Sequence, residues 1–298
     1  MGALILPALL MVELHTNAQS NGALVGQPRP APPDPADKAQ YTLFNPVPKQ
    51  YMRELNTDRP DKTEGPFTVD AGHYQIESDI FTYSQYHDTS GGANTSVDGW
   101  SFATLNLRAG LCNQADLQVI LNPYNRVRIR DQVAGTTIQH RGFGDVITRV
   151  KINLWGDDGG KTAFGLMPFV KIPTTQDQLG NDAFEGGFIV PLDVHLPGGW
   201  DLGVMTEFDC NQNATDSCYH LEFLNSLTFH HAIIGKLSGY GEFFGLASAE
   251  RSAPWVGTLD GGLIYGFSEN VQLDAGVNIG VTDAAADINP FVGFSMRF

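Results

Sequence analysis

Ionisable side chains recur at every second position along several apolar stretches of this 298-residue sequence. Successive side chains of an extended strand point to opposite faces, so the charges share one face and the apolar residues share the other. A closed sheet with the charged face inward would surround a lumen that passes ions or polar solutes. The predicted lumen-facing residues are Glu77, Asp79, Arg108, Asp116, Arg149, Lys151, Glu207, His220, Glu222, Glu242, Asp260, Asp274 and Arg297.

The balance of charge on this face favours cations. Adding Asp145, Asp193, Asp201 and Lys236 gives eleven carboxylates against five permanent bases, so about six negative charges exceed the bases. We predict a cation preference that weakens at high salt, because screening shortens the reach of the charges. The structural alternative is that these groups pair with one another and fill the interior. Glu207 and His220 are predicted to face each other across one hairpin.

Catalysis has little support, and we predict no enzyme activity, no catalytic or metal site and no cofactor. A hydrolase on the outer wall needs Ser, His and an acid or amide together, whereas the outward polar residues are Ser78 and Asn225. Asn225 departs from the apolar pattern, which a local bulge or an oligomer contact would explain. The pair His230-His231 is predicted to lie in a solvent-exposed turn.

The cysteines do not form a disulfide framework, since the chain has only three. Cys210 and Cys218 bracket a polar stretch, and an oxidising compartment would allow a bridge between them. The spacing permits that bridge without requiring it. Cys112 remains unpaired in either case.

Strands must position these residues, because the apolar pattern alternates and no stretch shows a sustained 3.6-residue period. We count about twelve strands, with lengths mostly suited to crossing hydrocarbon at a tilt. They lie near residues 74–80, 103–109, 117–121, 146–154, 162–172, 185–196, 200–208, 219–229, 236–244, 256–265, 271–280 and 290–298.

The predicted connections alternate between short and long, which places all short turns at one end of an up-and-down barrel. The stretches 84–99 and 125–144 are among the predicted long loops. Trp155 and Trp200 fall at the short-turn end, and Trp100 and Trp255 fall at the long-loop end. Tryptophan at both ends indicates two membrane interfaces.

The final residues, 290–298, form the clearest strand. Val292, Phe294, Met296 and Phe298 share its apolar face, and Phe291, Gly293, Ser295 and Arg297 share the other. A chain that ends on an aromatic strand residue resembles the closing strand of bacterial outer-membrane barrels. That resemblance implies recognition by the outer-membrane insertion machinery through Phe298.

Composition agrees with a barrel and excludes a nucleic-acid partner. Charged residues make up 17%, hydrophobic residues 42%, and glycine occurs 33 times, which suits many strands with tight turns. The formal net charge of −15 opposes phosphate binding by the chain as a whole. Residues 1–20 are predicted to be a signal peptide without a basic start, and 21–55 a proline-rich disordered linker. Residues 56–298 form the predicted barrel.

Several segments resemble a bacterial outer-membrane family assigned to the meta-cleavage pathway of phenol degradation, whose members are often labelled transporters. The similar segments are Thr57–Asp61, Gly72–Glu77, Gly142–Pro173, Tyr219–Phe229 and Asn289–Phe298. The resemblance implies a barrel in the outer membrane of a Gram-negative bacterium and uptake of small, aromatic compounds.

The sequence therefore predicts an all-β protein: a transmembrane, up-and-down antiparallel β-barrel of about twelve strands, with short periplasmic turns and longer extracellular loops. The predicted function is passive uptake of small solutes through a lipid bilayer. A non-transporting structural or adhesive barrel is the alternative, and a barrel-wall lipid enzyme is the third. A lumen of twelve strands is of intermediate width, so inward side chains or the N-terminal segment are able to plug it.

Overall fold

The computed structural model describes residues 38–213 and 216–298, and its main feature is one continuous antiparallel sheet. Two short 3₁₀ turns, Lys49–Tyr51 and Ser90–Gly92, accompany the strands, and no described helix is long and apolar enough to cross a membrane. The strands are β1 Tyr74–Asp88, β2 Thr95–Cys112, β3 Ala115–Leu121, β4 Tyr124–Asp131, β5 Thr136–Gly142, β6 Val146–Trp155, β7 Thr162–Ile172, β8 Glu185–Leu196, β9 Trp200–Gln212, β10 Tyr219–Ile234, β11 Leu237–Ser248, β12 Val256–Ser268, β13 Val271–Gly280 and β14 Ile288–Arg297.

These segments build a barrel wall of twelve strands, as predicted. β3 and β4 pair with successive parts of β2. On their other side, β3 pairs with β6 and β4 pairs with β5, so that β3 with β4 and β5 with β6 form two couples. Each of these two couples therefore forms one wall strand with a short interruption. β1 pairs with β2 on one side and β14 on the other, which closes the sheet. Closure removes sheet edges around the wall, whereas β5 pairs with β4 alone among the described strands.

The predicted alternation in the closing strand is confirmed. Phe291, Gly293, Ser295 and Arg297 are buried on the inner face, whereas Val292 is 40% exposed on the outer face. The backbone of Phe298 continues the pairing, because its N–H donates to the Tyr74 carbonyl at 2.9 Å. A shift of one residue would exchange the two faces, so the burial pattern fixes the register.

Two predicted long loops are wrong, because both stretches are largely strand. β1 runs to Asp88 and β2 starts at Thr95, which leaves residues 89–94 as the connection. Within residues 125–144, β4 and β5 form a hairpin that extends beyond the rest of the wall. Here the β-ladder continues past the aromatic residues Trp100 and Tyr124, since β2 and β4 stay paired up to Thr95.

The four tryptophans occupy the predicted ends of the barrel, with one difference in local structure. Trp155 is the last residue of β6, Trp200 is the first of β9, and Trp255 directly precedes β12. Trp100 lies inside β2 instead of at its end, because that strand is longer than predicted. Their depth in the membrane remains a prediction.

The N-terminal region reaches the barrel before the first strand begins. The predicted signal peptide, residues 1–20, lies outside the described residues. Of the predicted linker, residues 38–55 contact the short-turn end of the barrel: Val47 is 1% exposed, and Lys38 Nζ lies 2.7 Å from Asp158 Oδ1. Residues 56–72 then enter the lumen.

Candidate functional site

A polar segment, residues 56–70, occupies the lumen, and we call it the plug. Asp58, Asp61 and Thr63 are each at most 1% exposed. With Pro60, Gly65 and Pro66, the segment lacks the alternation of a strand, so it folds as an irregular chain. Its residues bond to side chains on β1, β2, β3, β6, β9, β10, β11, β12 and β13.

The strongest cluster of charges surrounds Arg108, which projects inward from β2. Its guanidinium contacts Asp58 of the plug at 2.7 Å, Glu77 at 2.9 Å and Asp116 at 2.6 Å. Lys151 Nζ also bonds to Asp58. Burying these charges is costly, and only close pairing with complete hydrogen bonding offsets that cost. The plug therefore supplies a carboxylate that the wall cations need.

A second cluster holds Arg59 of the plug against β1 and β13. Its Nη2 lies 2.6 Å from Asp274 Oδ1, Nη1 bonds to Asp79, and the guanidinium stands 5.6 Å from the centre of the Phe291 ring. Gly293 makes room for this side chain, because a Cβ there would lie 2.2 Å from Arg59 Nη2. The wall is thus shaped for the plug.

The top of the plug, Lys62–Glu64, contacts β10, β11 and β12, and it also contacts β6. Lys62 Nζ lies 3.1 Å from Asp260 Oδ2 and 4.7 Å from the centre of the Phe244 ring. The Thr63 hydroxyl lies 2.6 Å from a Glu242 oxygen and 2.7 Å from Ser226 Oγ. Glu64 pairs with Arg149 at 2.5 Å. These contacts extend the pairing around the wall.

His230 corrects one prediction. It lies within β10 and not in an exposed turn, is 1% exposed, and its Nε2 lies 3.0 Å from Asp61 Oδ2 of the plug. β10 continues to Ile234, so alternation carries His230 inward and its neighbour His231 outward. The turn before β11 is correspondingly shorter, and Lys236 is exposed there instead of facing the lumen.

At the short-turn end, Arg53 ties the start of the plug to the β6–β7 turn. Arg53 contacts Asp157 at 3.2 Å and Asp158 at 3.0 Å, and Asp157 accepts a 3.1 Å hydrogen bond from the Thr68 amide. Burial raises the pKa of Asp157 to about 6, although the charge of Arg53 opposes the shift. Burial also raises the pKa of Asp158, but hydrogen bonding and charge from Arg53 outweigh it and hold that pKa well below its usual range.

The upper part of the lumen, toward the long-loop end, is more apolar. Phe169 and Ala284 pack against a buried cluster in which Phe244 is 2% exposed. Ala284 and Ala285 come from the loop between β13 and β14, so this loop folds over the lumen. The buried cluster contains Met167, Ile189, Met205, Leu224, Phe244, Leu246, Val256 and Ala285.

Glu207 and His220 do not face each other, contrary to the prediction. Glu207 is opposite Leu224 in the β9–β10 ladder, and His220 is opposite Asn211. The ladder extends beyond Phe208 to Gln212, which changes the facing residues. His220 Nε2 instead lies 3.2 Å from Glu222 Oε1.

Ten of the thirteen predicted lumen residues contact residues 53–70, and the other three, Glu207, His220 and Glu222, lie nearer the long-loop end. The plug itself was not predicted as the partner of the wall charges. The ten are Glu77, Asp79, Arg108, Asp116, Arg149, Lys151, Glu242, Asp260, Asp274 and Arg297.

The outward polar residue Asn225 has a partner on the neighbouring strand. Its Oδ1 accepts a 3.0 Å hydrogen bond from the hydroxyl of Thr206, which is directly opposite in the β9–β10 ladder. The ladder has no bulge at this point, so cross-strand pairing explains how Asn225 fits the outer face. Cys112, Cys210 and Cys218 are all exposed free thiols.

One group of side chains has the composition of a metal site. The ligand atoms of Asp193, His195 and Asp201 lie within 4.8 Å of one another at the short-turn end. One imidazole and two carboxylates suit a borderline cation such as Zn²⁺. His195 Nδ1 bonds to Asp201 and lies 3.8 Å from Asp193, so the three side chains also contact one another directly.

An apolar outer wall around a charged interior, closed by twelve strands, defines an outer-membrane β-barrel. The chain belongs to the family described as "Putative MetA-pathway of phenol degradation", whose model matches residues 57–298. The protein is thus located in the outer membrane of a Gram-negative bacterium.

Solved structures of outer-membrane proteins are similar to this chain at low sequence identity. An outer membrane channel from Pseudomonas putida F1 is 12% identical, with a TM-score of 0.50 over 76% of this chain and 93% of that one. The translocator domain of the autotransporter NalP from Neisseria meningitidis is 12% identical, with a TM-score of 0.49 over 76% and 88%. The CymD monoaromatic hydrocarbon channel is 8% identical, with a TM-score of 0.43 over 76% and 88%. No curated protein sequence matches the chain.

Proposed function

We propose that this protein is a porin-like channel for passive uptake of small solutes, including aromatic compounds, and that its plug must move for a solute to pass. The observation that carries the proposal is the division of the lumen into a polar plug and an apolar upper part with aromatic side chains. Membership of a family described by phenol degradation supports the aromatic class of solute.

The plug is able to leave without damaging the wall. Its contacts with the barrel strands are made mainly through side chains, whereas the strands are joined by their own continuous ladder. The loss of the plug therefore leaves every wall strand paired. A barrel of twelve strands would then enclose an intermediate lumen, wide enough for small molecules.

The proposed path begins at the extracellular side. A solute would first meet the buried apolar cluster around Phe244 and the polar pair of His220 and Glu222, and would then reach the plug. The ten wall residues that now contact residues 53–70 would line the pore after displacement. Apolar contact with aromatic rings would favour aromatic solutes over sugars of similar size.

Current recordings from single molecules in planar bilayers test this proposal. We expect brief openings, and phenol at millimolar concentration should reduce the current more than cyclohexanol, which has a similar size without an aromatic ring. An equal decrease in current with both compounds would contradict the aromatic preference. Openings that admit ions but no phenol would contradict uptake of aromatic compounds.

A closed structural barrel is the second candidate, favoured by the number of wall charges that the plug neutralises. The two candidates differ in a variant with a weakened plug. Gly293→Ala would increase current through a channel, whereas a structural barrel would stay silent in both the original and the substituted protein.

We also infer that the insertion machinery recognises the C-terminal strand. The support is its apolar outer face and the placement of Phe298 beside Tyr74, where the barrel closes. Deletion of Phe298 should leave protein unassembled in the periplasm. Normal amounts of heat-modifiable barrel after the deletion would contradict this inference.

A further inference from the structure

The outer surface of the β4–β5 hairpin carries a cluster of arginines that the lumen does not explain. Arg126, Arg128 and Arg130 occupy alternate positions of β4, and Arg141 is opposite Arg126 on β5. Alternation therefore places all four side chains on one face. Four of the 18 basic residues of a chain with net charge −15 are concentrated here. We call this set the arginine face.

The arginine face has fewer acidic partners than it has charges. Asp98, which is 3% exposed, is within 2.9 Å of Arg128 Nη2 and 3.0 Å of Arg130 Nη2. Arg126 Nη2 donates to the neutral Gln139 amide oxygen at 2.8 Å. Asp177 accepts from the Arg141 backbone N–H and not from its side chain. Two guanidinium groups share one carboxylate, so a net positive charge remains.

Aromatic residues pack against the arginine face, and their positions predict that it lies at the membrane surface. The guanidinium carbons of Arg126 and Arg128 each lie 5.1 Å from the centre of the Trp100 ring, and Trp100 also contacts Tyr83 at 5.7 Å. One step further toward the membrane, Phe102 contacts Tyr124 at 6.0 Å on the same outer surface. Aromatic residues of this kind mark the headgroup level of a bilayer.

The arrangement gives the arginine face a defined depth. Arg126 is opposite Trp100 in the ladder, and Arg130 lies four residues further along β4, or about 14 Å in a strand. With Trp100 at its predicted extracellular interface, the guanidinium groups would start at that interface and extend outward from it. Below them, the wall presents aromatic rings to lipid chains.

We propose that the arginine face binds the phosphate groups of lipid A, the glycolipid anchor of lipopolysaccharide in the outer leaflet. Arg forms bidentate hydrogen bonds with phosphate, and its weakly hydrated guanidinium pairs well at an interface. Stacking on Trp100 holds two of these groups in place before binding, which lowers the entropy lost. The acyl chains of the same molecule would contact Phe102 and Tyr124.

Binding of lipid A to the full-length protein tests the proposal. Native mass spectrometry of the purified barrel would compare lipid A that carries both phosphates, dephosphorylated lipid A, and inorganic phosphate. We expect retention of the phosphorylated form and about tenfold weaker retention of the dephosphorylated form. Equal retention of both lipids would overturn the proposal, and so would displacement of lipid A by millimolar inorganic phosphate.

Substitutions locate the binding on this surface. Replacing Arg126, Arg128, Arg130 and Arg141 with Gln should reduce lipid A retention at least about tenfold. Arg251→Gln, an exposed arginine on another extracellular loop, should change it by less than about twofold. If the fourfold variant does not fold, the double variant Arg126→Gln, Arg141→Gln retains both Asp98 pairs and should still weaken retention several-fold. Retention at the original level in a folded variant would overturn the proposal.

Discussion

Arginine has opposite roles on the two surfaces of the barrel wall. Inside, Arg108 contacts three carboxylates and is 2% exposed. Outside, Arg128 and Arg130 share Asp98, and the side chain of Arg130 is 44% exposed. In the lumen, acids match or outnumber bases, so the charges hold the plug. On the hairpin, bases outnumber acids, so the charges remain available for an anionic ligand.

The first prediction compares how much an inner and an outer arginine contribute to the free energy of unfolding. Arg108→Ala leaves Glu77 and Asp116 buried without their cation and Asp58 with Lys151 alone, and we expect a loss of about 3–5 kcal/mol in the free energy of unfolding. Arg130→Ala is the matched control and should cost at most about 1 kcal/mol, because exposed pairs are weak. Urea unfolding in lipid vesicles measures both. Similar losses in the two variants would contradict the distinction between the surfaces.

The second prediction weakens the plug without removing a charge. Gly293→Ala places a Cβ 2.2 Å from Arg59 Nη2 and 2.4 Å from the backbone carbonyl oxygen of Ser78 on β1, so a strain of about 1–3 kcal/mol falls on plug docking and on the β1–β14 pairing together. Current through single barrels should increase as a result. Gly241→Ala is the control, since a Cβ there meets nothing within 4 Å. If both variants conduct equally, the contact between Arg59 and Gly293 does not hold the plug in place.

The third prediction concerns the pH dependence of the plug. Docking buries Asp157 and raises its pKa to about 6, so the docked state binds the proton more tightly than the released state. Docking is therefore most favourable below about pH 4 and loses stability as the pH rises through 6. Open probability should increase between pH 5 and pH 7, and Asp157→Asn should reduce this increase. An opposite slope would contradict the assignment.

The fourth and smallest effect concerns ion selectivity. Once the plug is displaced, the wall keeps its surplus of carboxylates over permanent bases. The open pore should prefer cations, and the double variant Glu207→Gln, Glu222→Gln should reduce that preference because both residues lie above the plug. Reversal potentials in a salt gradient measure the change. An anion-selective original protein would overturn the lumen assignment.

Alternation made the wall predictable from sequence. In β14, Val292 and Arg297 take the predicted faces because a strand's side chains have a strict period of two. The same rule places His230 inward once β10 is extended to Ile234. The predicted strand stops at Phe229, although the alternation continues beyond it. The hairpin was missed for a similar reason: in β4, Arg126 to Arg130 alternate with Val127 and Ile129, and an arginine-rich stretch looks like a loop.

The plug could not be predicted from periodicity, because residues 56–70 have none. Its sequence nonetheless carries opposite charges in close succession, Asp58 with Arg59 and Asp61 with Lys62. These adjacent charged residues bond to residues far away in the chain; Arg59, for example, bonds to Asp274. Sequence alone gives the charges but not the three-dimensional pairing, since closure of the barrel brings those residues together.

Movement of the plug is the central claim, and a reversible cross-link tests it most directly. Thr63 and Ser226 have hydroxyl oxygens 2.7 Å apart, so cysteines at both positions should form a disulfide between the plug and β10. The three exposed native cysteines would first be replaced with Ser. We predict that the oxidised protein is silent in planar bilayers and that reduction restores brief openings. Equal current before and after reduction would contradict the account.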